Sequence, residues 1–277
     1  MPWPAVGVAV GELRRKTLLR LAERKDDFLY RRAAAITCVT RSFVEYVAGK
    51  GNERGKIFHL PNGTIPEVFH PPDAEDKEQG HLSLRRQLGL EHKFLVGFCG
   101  NHGVAQGLPG VMKAADLLQG QEDVALLFVG EGPVKEQLLD IKERNGLDNV
   151  LMLPQVPVEE ISDHINACDV MLVPLAKDEI FSSFIPSKMF DYMACARPII
   201  LAVDGEARAI MEEAGAGVYV EPDNPAALRD TIIELRELTQ SLVSMGERGR
   251  EYVLKHYLRD TQAEVLEEIL SAHSRAG

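Results

Sequence analysis

From residue 94 onward the chain repeats one pattern, a short apolar run followed by a stretch with helical spacing. The runs are FLVGFC (94–99), ALLFVG (125–130), NVLML (149–153), DVMLVP (169–174), PIILAV (198–203) and GVYVE (217–221). Helical patterns fall between them at 104–119, 133–145, 158–167, 186–196 and 205–215, and three more helices are predicted at about 225–238, 242–256 and 260–272. Short strands that are apolar on both faces and alternate with helices can bury themselves only in a parallel sheet covered on each side. The expectation is an α/β fold with a doubly wound, Rossmann-like sheet over residues 73–255. In such a sheet ligands lie beyond the carboxyl ends of the strands.

Upstream, AAITCVT and KIFHL read as short strands around a helix at 41–50. The segment PNGTIPEVFHPP (61–72), with Asn-Gly and four prolines, reads as a connector. The stretch GELRRKTLLRLAERKDDFLYRR predicts a helix with Leu18, Leu21, Ala22 and Leu29 on one face. The formal charge of −11 is uneven: residues 1–60 carry twelve Lys/Arg against six Asp/Glu, and the rest is strongly acidic. That acidic body argues against nucleic acid as a partner. The basic helix has two readings, a solvated helix against a domain, or a peripheral contact with anionic lipid through residues 12–32. Cys38, Cys99, Cys168 and Cys195 are too scattered for a metal cluster or a disulfide framework, which favours a reducing compartment. No apolar run approaches the ~20 residues needed to span a bilayer. The start MPWPAVGVAVGELRRK lacks the basic-then-apolar order of a signal peptide. A cytoplasmic protein is expected, with the inner face of the membrane as the site of any peripheral contact.

The strand ends carry the candidate chemistry. After the first comes GNHGVAQGLPG, where Gly100, Gly103 and Gly107, with Asn101, allow close approach of a ligand before a helix N-terminus. The spacing is not the dinucleotide fingerprint, and plain turn geometry is the other reading. His102 is expected to be exposed. After the second strand, Gly130 and Gly132 flank Glu131, which offers a carboxylate to a ribose hydroxyl or simply compensates the helix dipole. Pro154, Gln155 and Val156, in LPQVP, form a rigid loop suited to a flat base. After the fourth, FIPSKMFDYMACARPII (184–200) opens a helix on Pro186 with Ile185 as a poor cap. Lys188 then sits at the helix end that repels cations. Ser187, Lys188 and Asp191 share a face. Either Lys188 and Asp191 form a surface pair, or a bound anion, a diphosphate, accounts for the lysine.

Taken together these segments resemble retaining glycosyltransferases of the GT-B type, family 4 (group 1), in the bacterial polysaccharide-biosynthesis branch. IPSKMFDYMACARPII carries the resemblance most strongly. FCGNHGVAQGL, LLFVGEGPVKEQL, NVLMLPQVPVEEI, ACDVMLVPL and LPNGTIPEVFHP follow the family's order. The resemblance implies transfer of a sugar from a nucleotide diphosphate sugar, with a UDP-sugar favoured, to a glycan or lipid-linked acceptor with retention and without a metal or other cofactor. It implies that Asp191 takes the nucleotide ribose and that Lys188, with backbone amides, holds the diphosphate. Ser183 stands where the family has a glutamate against the donor sugar, so Lys188 and Ser183 become the catalytic candidates. The implied organisation is a remnant of the acceptor domain at 1–60, the connector, the donor domain, and a last helix at 256–277 packing back on the N-terminal part. A separate acceptor-domain chain is an implied partner. The rival readings are a non-catalytic nucleotide-binding subunit of a split transferase, a sugar-nucleotide epimerase, and an NAD-dependent oxidoreductase.

Overall fold

The structure is a computed structural model and describes residues 3–9, 11, 16–72 and 81–274. Residues 12–15 of the basic segment, the start of the expected donor domain at 73–80, and 275–277 lie outside the described residues.

The apolar runs are the strands of one sheet: β3 Phe94–Cys99, β4 Val124–Val129, β5 Val150–Leu153, β6 Val170–Pro174, β7 Ile199–Ala202 and β8 Gly217–Tyr219. All pairs are parallel and the order is β5-β4-β3-β6-β7-β8. Alternate residues serve two cores, one per face. Leu95, Ala125, Leu127, Met171, Val173 and Ile199 pack on one side, and Val96, Phe98, Leu126, Phe128, Leu172 and Ile200 on the other. The chain leaves β3 in one direction, to β4 and β5, and returns to β6 on its other side. The crevice between the ends of β3 and β6 is therefore the switch point of the sheet, where a ligand is expected.

The helices between the strands begin later than the sequence suggests. The first after β3 is a 3₁₀ turn at Val104–Gln106 followed by α5 Leu108–Leu117, α6 is Lys135–Asn145 and α7 Ile161–Asn166. Helix α8 is Lys188–Ala194, so neither Pro186 nor Ile185 has the expected place. Ser187 is the cap residue, already helical at φ −57°, ψ −30°, and makes no side-chain cap bond. Then follow α9 Glu206–Ala214, α10 Pro225–Arg236, α11 Thr239–His256 and α12 Arg259–Ser274.

Before the sheet lie α1 Trp3–Ala9, α2 Lys16–Arg32, β1 Ile36–Cys38, α3 Arg41–Gly49, β2 Ile57–His59 and, after the connector, α4 His81–Leu88. β1 and β2 form a parallel pair whose small core is Cys38, Phe43, Val47 and Ile57. On α2 the predicted apolar face is not a buried face. Ala22 is buried, whereas Leu18, Leu21 and Leu29 are 49%, 65% and 50% exposed. Among the contacts that dock this part on the sheet domain, two involve α3. Phe43 meets Phe184 edge to face at 5.2 Å. The Glu206 carboxylate accepts from the amides of Arg41 (3.0 Å) and Ser42 (2.6 Å) and from the Ser42 hydroxyl (2.9 Å), at the start of α3, where the Thr40 hydroxyl caps the next amide, that of Phe43.

The chain passes between the two parts twice, and the passages lie side by side. The amide of Thr64 donates to Tyr257 at 2.8 Å, and that of Arg259 to Thr64 at 3.0 Å. The Arg259 guanidinium donates to the carbonyl of Gly63 at 3.1 Å. Gly63 permits the approach, since a Cβ there would stand 2.7 Å from the Tyr257 oxygen. Beyond it, α12 lies on β2, with His273 edge-on to Phe58 at 5.5 Å. All four cysteines are free and buried.

Candidate functional site

The turns after β3 and β4 are built on glycines that other residues could not replace. Gly100 has φ +134° and Gly130 φ +142°, and a Cβ on Gly130 would strike the carbonyl of Gly100. Beside this contact a cavity of about 310 Å³ opens, lined by Gly100, Asn101, Gly130, Glu131, Gln155 and Val156. Six residues singled out from three separate motifs thus meet at one place. A larger cavity, about 590 Å³, lies at the opposite end of the sheet beside Asp169 and Pro198 and holds none of the sequence candidates.

The cavity has a support that sequence reasoning missed. The Lys135 ammonium donates to the carbonyls of Gly130 (3.0 Å) and Leu153 (3.3 Å), tying the ends of β4 and β5, and to the Glu131 carboxylate at 2.5 Å. The bond from Lys135 holds the Glu131 carboxyl below its ordinary range. The only sequence signal was the four-residue spacing of the pair.

Lys188 and Asp191 do not pair with one another. The Lys188 ammonium lies 3.7 Å over the Phe98 ring and is buried without a hydrogen-bond partner. It comes within 3.0 Å of where a Cβ on Gly100 would be. Burial pushes its pKa down to about 7. The surface-pair reading is therefore corrected: this is a cation tucked beneath the first glycine turn. The amides of Ser187 and Lys188 likewise find no backbone acceptor among the described residues.

His102 is a second correction. It is fully buried, between Phe98 (5.8 Å) and Phe128 (6.2 Å), and neither ring nitrogen has a partner. Burial, with Lys135 and Lys188 nearby, pushes its pKa down to about 4, so the imidazole is neutral. The Gln106 side-chain oxygen is buried and unpaired too. Buried polar groups ordinarily have partners. Here three side chains around one glycine turn have none among the described residues.

Asp191 turns to the connector, where the Thr64 hydroxyl donates to its Oδ1 at 2.9 Å. Burial raises its pKa to about 6, opposed by the Thr64 bond and by Arg259. Thr64 was not visible as a site residue, because its partner is 127 positions away. The remaining candidates stand apart from the cavity. Gly103 and Gly132 back onto Asn101 and His102, and Gly107 (φ +62°) packs on the backbone of Ala176 at the end of β6. Pro154 and Ser187 are exposed. The Ser183 hydroxyl donates to the carbonyl of Ile180 at 2.6 Å, within the 3₁₀ turn Glu179–Ser183. Among the described residues, no three His, Cys, Asp or Glu side chains come together to hold a metal, and no helix is long and apolar enough to cross a membrane.

Known proteins resemble the chain in sequence and fold. The chain is 27% identical over 257 residues to the probable glycosyltransferase WbjE of Pseudomonas aeruginosa, covering 90% of this chain and 61% of that protein. It is 24% identical over 279 residues to a GDP-mannose-dependent phosphatidylinositol monomannoside mannosyltransferase of Mycobacterium tuberculosis, covering 98% of this chain and 68% of that protein. The fold superposes on Anabaena HepE in complex with UDP-glucose with a TM-score of 0.77 at 21% identity, covering 90% of this chain and 67% of HepE. The chain spans about 60% of the WbjE relative's length. Residues 82–252, the sheet domain with its glycine turns and the Lys188 helix, match the glycosyl transferases group 1 family as one block. With more than half of its length in that match, the chain belongs to the glycosyl transferases group 1 family.

Proposed function

We propose that the chain binds a nucleotide diphosphate sugar, a UDP-sugar in preference, and serves its transfer to a glycan or lipid-linked acceptor with retention. The observation that carries this reading is the buried, unpaired Lys188 ammonium beneath the Gly100 turn. A diphosphate there would supply the missing partner and meet the free amides of Ser187 and Lys188. In this reading the base enters the cavity beside Gln155 and Val156, the diphosphate crosses the glycine turn, and the ribose reaches Asp191. Negative charge growing on the leaving phosphate meets fixed N–H dipoles and the Lys188 ammonium, whose charged form the diphosphate itself favours, an arrangement in which one donor is worth ~3 kcal/mol in the barrier. In the same reading Ser183, whose hydroxyl would have to leave the Ile180 carbonyl, serves the donor sugar, and no metal takes part. The acceptor side includes residues 1–60 together with a separate acceptor-domain chain, with α2 as the contact to anionic lipid.

The supporting comparison is HepE, which binds UDP-glucose. The mycobacterial relative depends on GDP-mannose, so GDP is the second reading for the base. The test is a thermal-shift series with UDP, GDP, ADP and NAD, with and without EDTA. At a hundredfold excess over Kd, UDP is expected to add about 2.7 kcal/mol, undiminished by the chelator. A shift with GDP alone moves the base assignment, and a shift with NAD alone rejects the transferase reading.

A further inference from the structure

Asp191 is a poorly satisfied carboxylate for its surroundings. It lies on a helix between the sheet and the paired passages. Among the described residues it accepts one hydrogen bond, from the neutral Thr64 hydroxyl to Oδ1. Arg259 faces it from the start of α12, but its guanidinium is given to the carbonyl of Gly63 and forms no ion pair with Asp191. From its own helix Tyr192 and Cys195 face it, both neutral at ordinary pH. Lys188, one turn away, points into the Phe98 ring instead. A carboxylate sealed in for structure alone would be paired or bonded on both oxygens. Here Oδ2 takes no hydrogen bond from the described residues and stays open to solvent. Thr64, for its part, is fully buried, and its amide and carbonyl are both held by the returning passage at Tyr257 and Arg259. Its hydroxyl is thus fixed from behind and has a single acceptor.

We infer that Thr64 is a positioning residue for the donor site: by holding Oδ1 it turns Oδ2 of Asp191 toward the nucleotide ribose and ties nucleotide binding to the crossing between the two parts. This rests on the proposed nucleotide site and adds to it a residue outside the family-matched block, which starts at residue 82. Because a hydroxyl donor favours the charged carboxylate, Thr64 also keeps Asp191 ionised to lower pH than burial alone would allow.

The test is calorimetric titration of the full chain with UDP between pH 5 and 8, for the parent, Thr64→Val, Thr64→Ser, Asp191→Ala and the Thr64→Val/Asp191→Ala double variant. In the parent, affinity is expected to fall as pH drops through about 6. Thr64→Val, nearly the same shape, is expected to weaken UDP five- to tenfold at pH 7 and to move the acid-side loss to higher pH. Thr64→Ser should stay within twofold of the parent, and Thr64→Val should cost nothing further once Asp191 is Ala and its acceptor oxygen is gone. An unchanged acid limb in Thr64→Val, or an equal loss in the Asp191→Ala background, overturns the inference, since a merely structural threonine would act that way. A parent that binds neither UDP nor GDP instead removes the nucleotide reading beneath it, and the inference with it.

Discussion

At the residue scale the site is governed by charges held where water cannot reach them. Lys188 has no carboxylate to offset its burial, so its neutral form is favoured in the empty protein and its pKa falls to about 7. A depressed lysine pKa penalises folding fully below that value, and the penalty is relieved as pH rises toward the unfolded value. Lys188→Met keeps the bulk and removes the charge. It is expected to stabilise the empty protein by about 1–3 kcal/mol, the cost of a buried unpaired polar group, and to weaken UDP by ~1.5–3 kcal/mol through the lost charged hydrogen bond. Urea unfolding and calorimetry on the same variant check both signs. The same chemistry makes binding draw protons: at pH 8 an arriving diphosphate should restore the charge on Lys188. The binding enthalpy is then expected to depend on the buffer's ionisation heat, with uptake approaching one proton, and no buffer dependence in Lys188→Met. The sequence showed Lys188 as a misplaced cation because helix polarity is a local property. It hid His102, whose neighbours in the chain are Asn and Gly but whose walls are Phe98 and Phe128. Burial by distant strands leaves no mark on a tripeptide.

At the scale of elements, the strands were legible and the helix starts were not, for one physical reason each. Every strand of the large sheet is packed on both faces, so it must be apolar throughout and declares itself. Helices α5 to α9 begin without a side-chain cap bond, on Gly107, Val134, Glu160, Ser187 and Gly205. Without a capping residue nothing local fixes the first turn, and the predicted starts at 133, 158 and 186 ran early by two or three residues. Of these starts, α7 reaches the cavity, where Ile161 lines it. The glycine turns between strand and helix are the rigid parts. Gly130→Ala forces a Cβ against the Gly100 carbonyl in a backbone region that L residues avoid. It is expected to cost at least ~1–3 kcal/mol and to lose UDP binding together with stability. Equilibrium unfolding with and without UDP separates this from a surface effect, which would leave both unchanged.

At the scale of the whole molecule, the N-terminal part is joined to the sheet domain by few contacts, and Glu206 is central among the polar ones. Its carboxylate serves the uncompensated amides of Arg41 and Ser42, so Glu206→Ala should cost about 1 kcal/mol, the usual value of a lost helix cap. Hydrogen exchange is expected to show the loss in α3 and β1 while the large sheet keeps its protection. The sequence announced the connector through its prolines and Asn-Gly, but not its partner, since the pairing of Thr64 with Leu258 joins segments almost two hundred positions apart. The four buried cysteines carry a consequence for how such openings can be followed. Burial raises the Cys38 thiol, lifts Cys99 and Cys195 to about 12, and raises Cys168 as well. Only a thiolate reacts at a useful rate, so the closed chain is almost inert to alkylating reagents and each modification records one opening event. Cys38 lies in the small sheet and the other three in the large domain. The chain therefore carries two separate chemical clocks, one for each part, without any label having to be introduced.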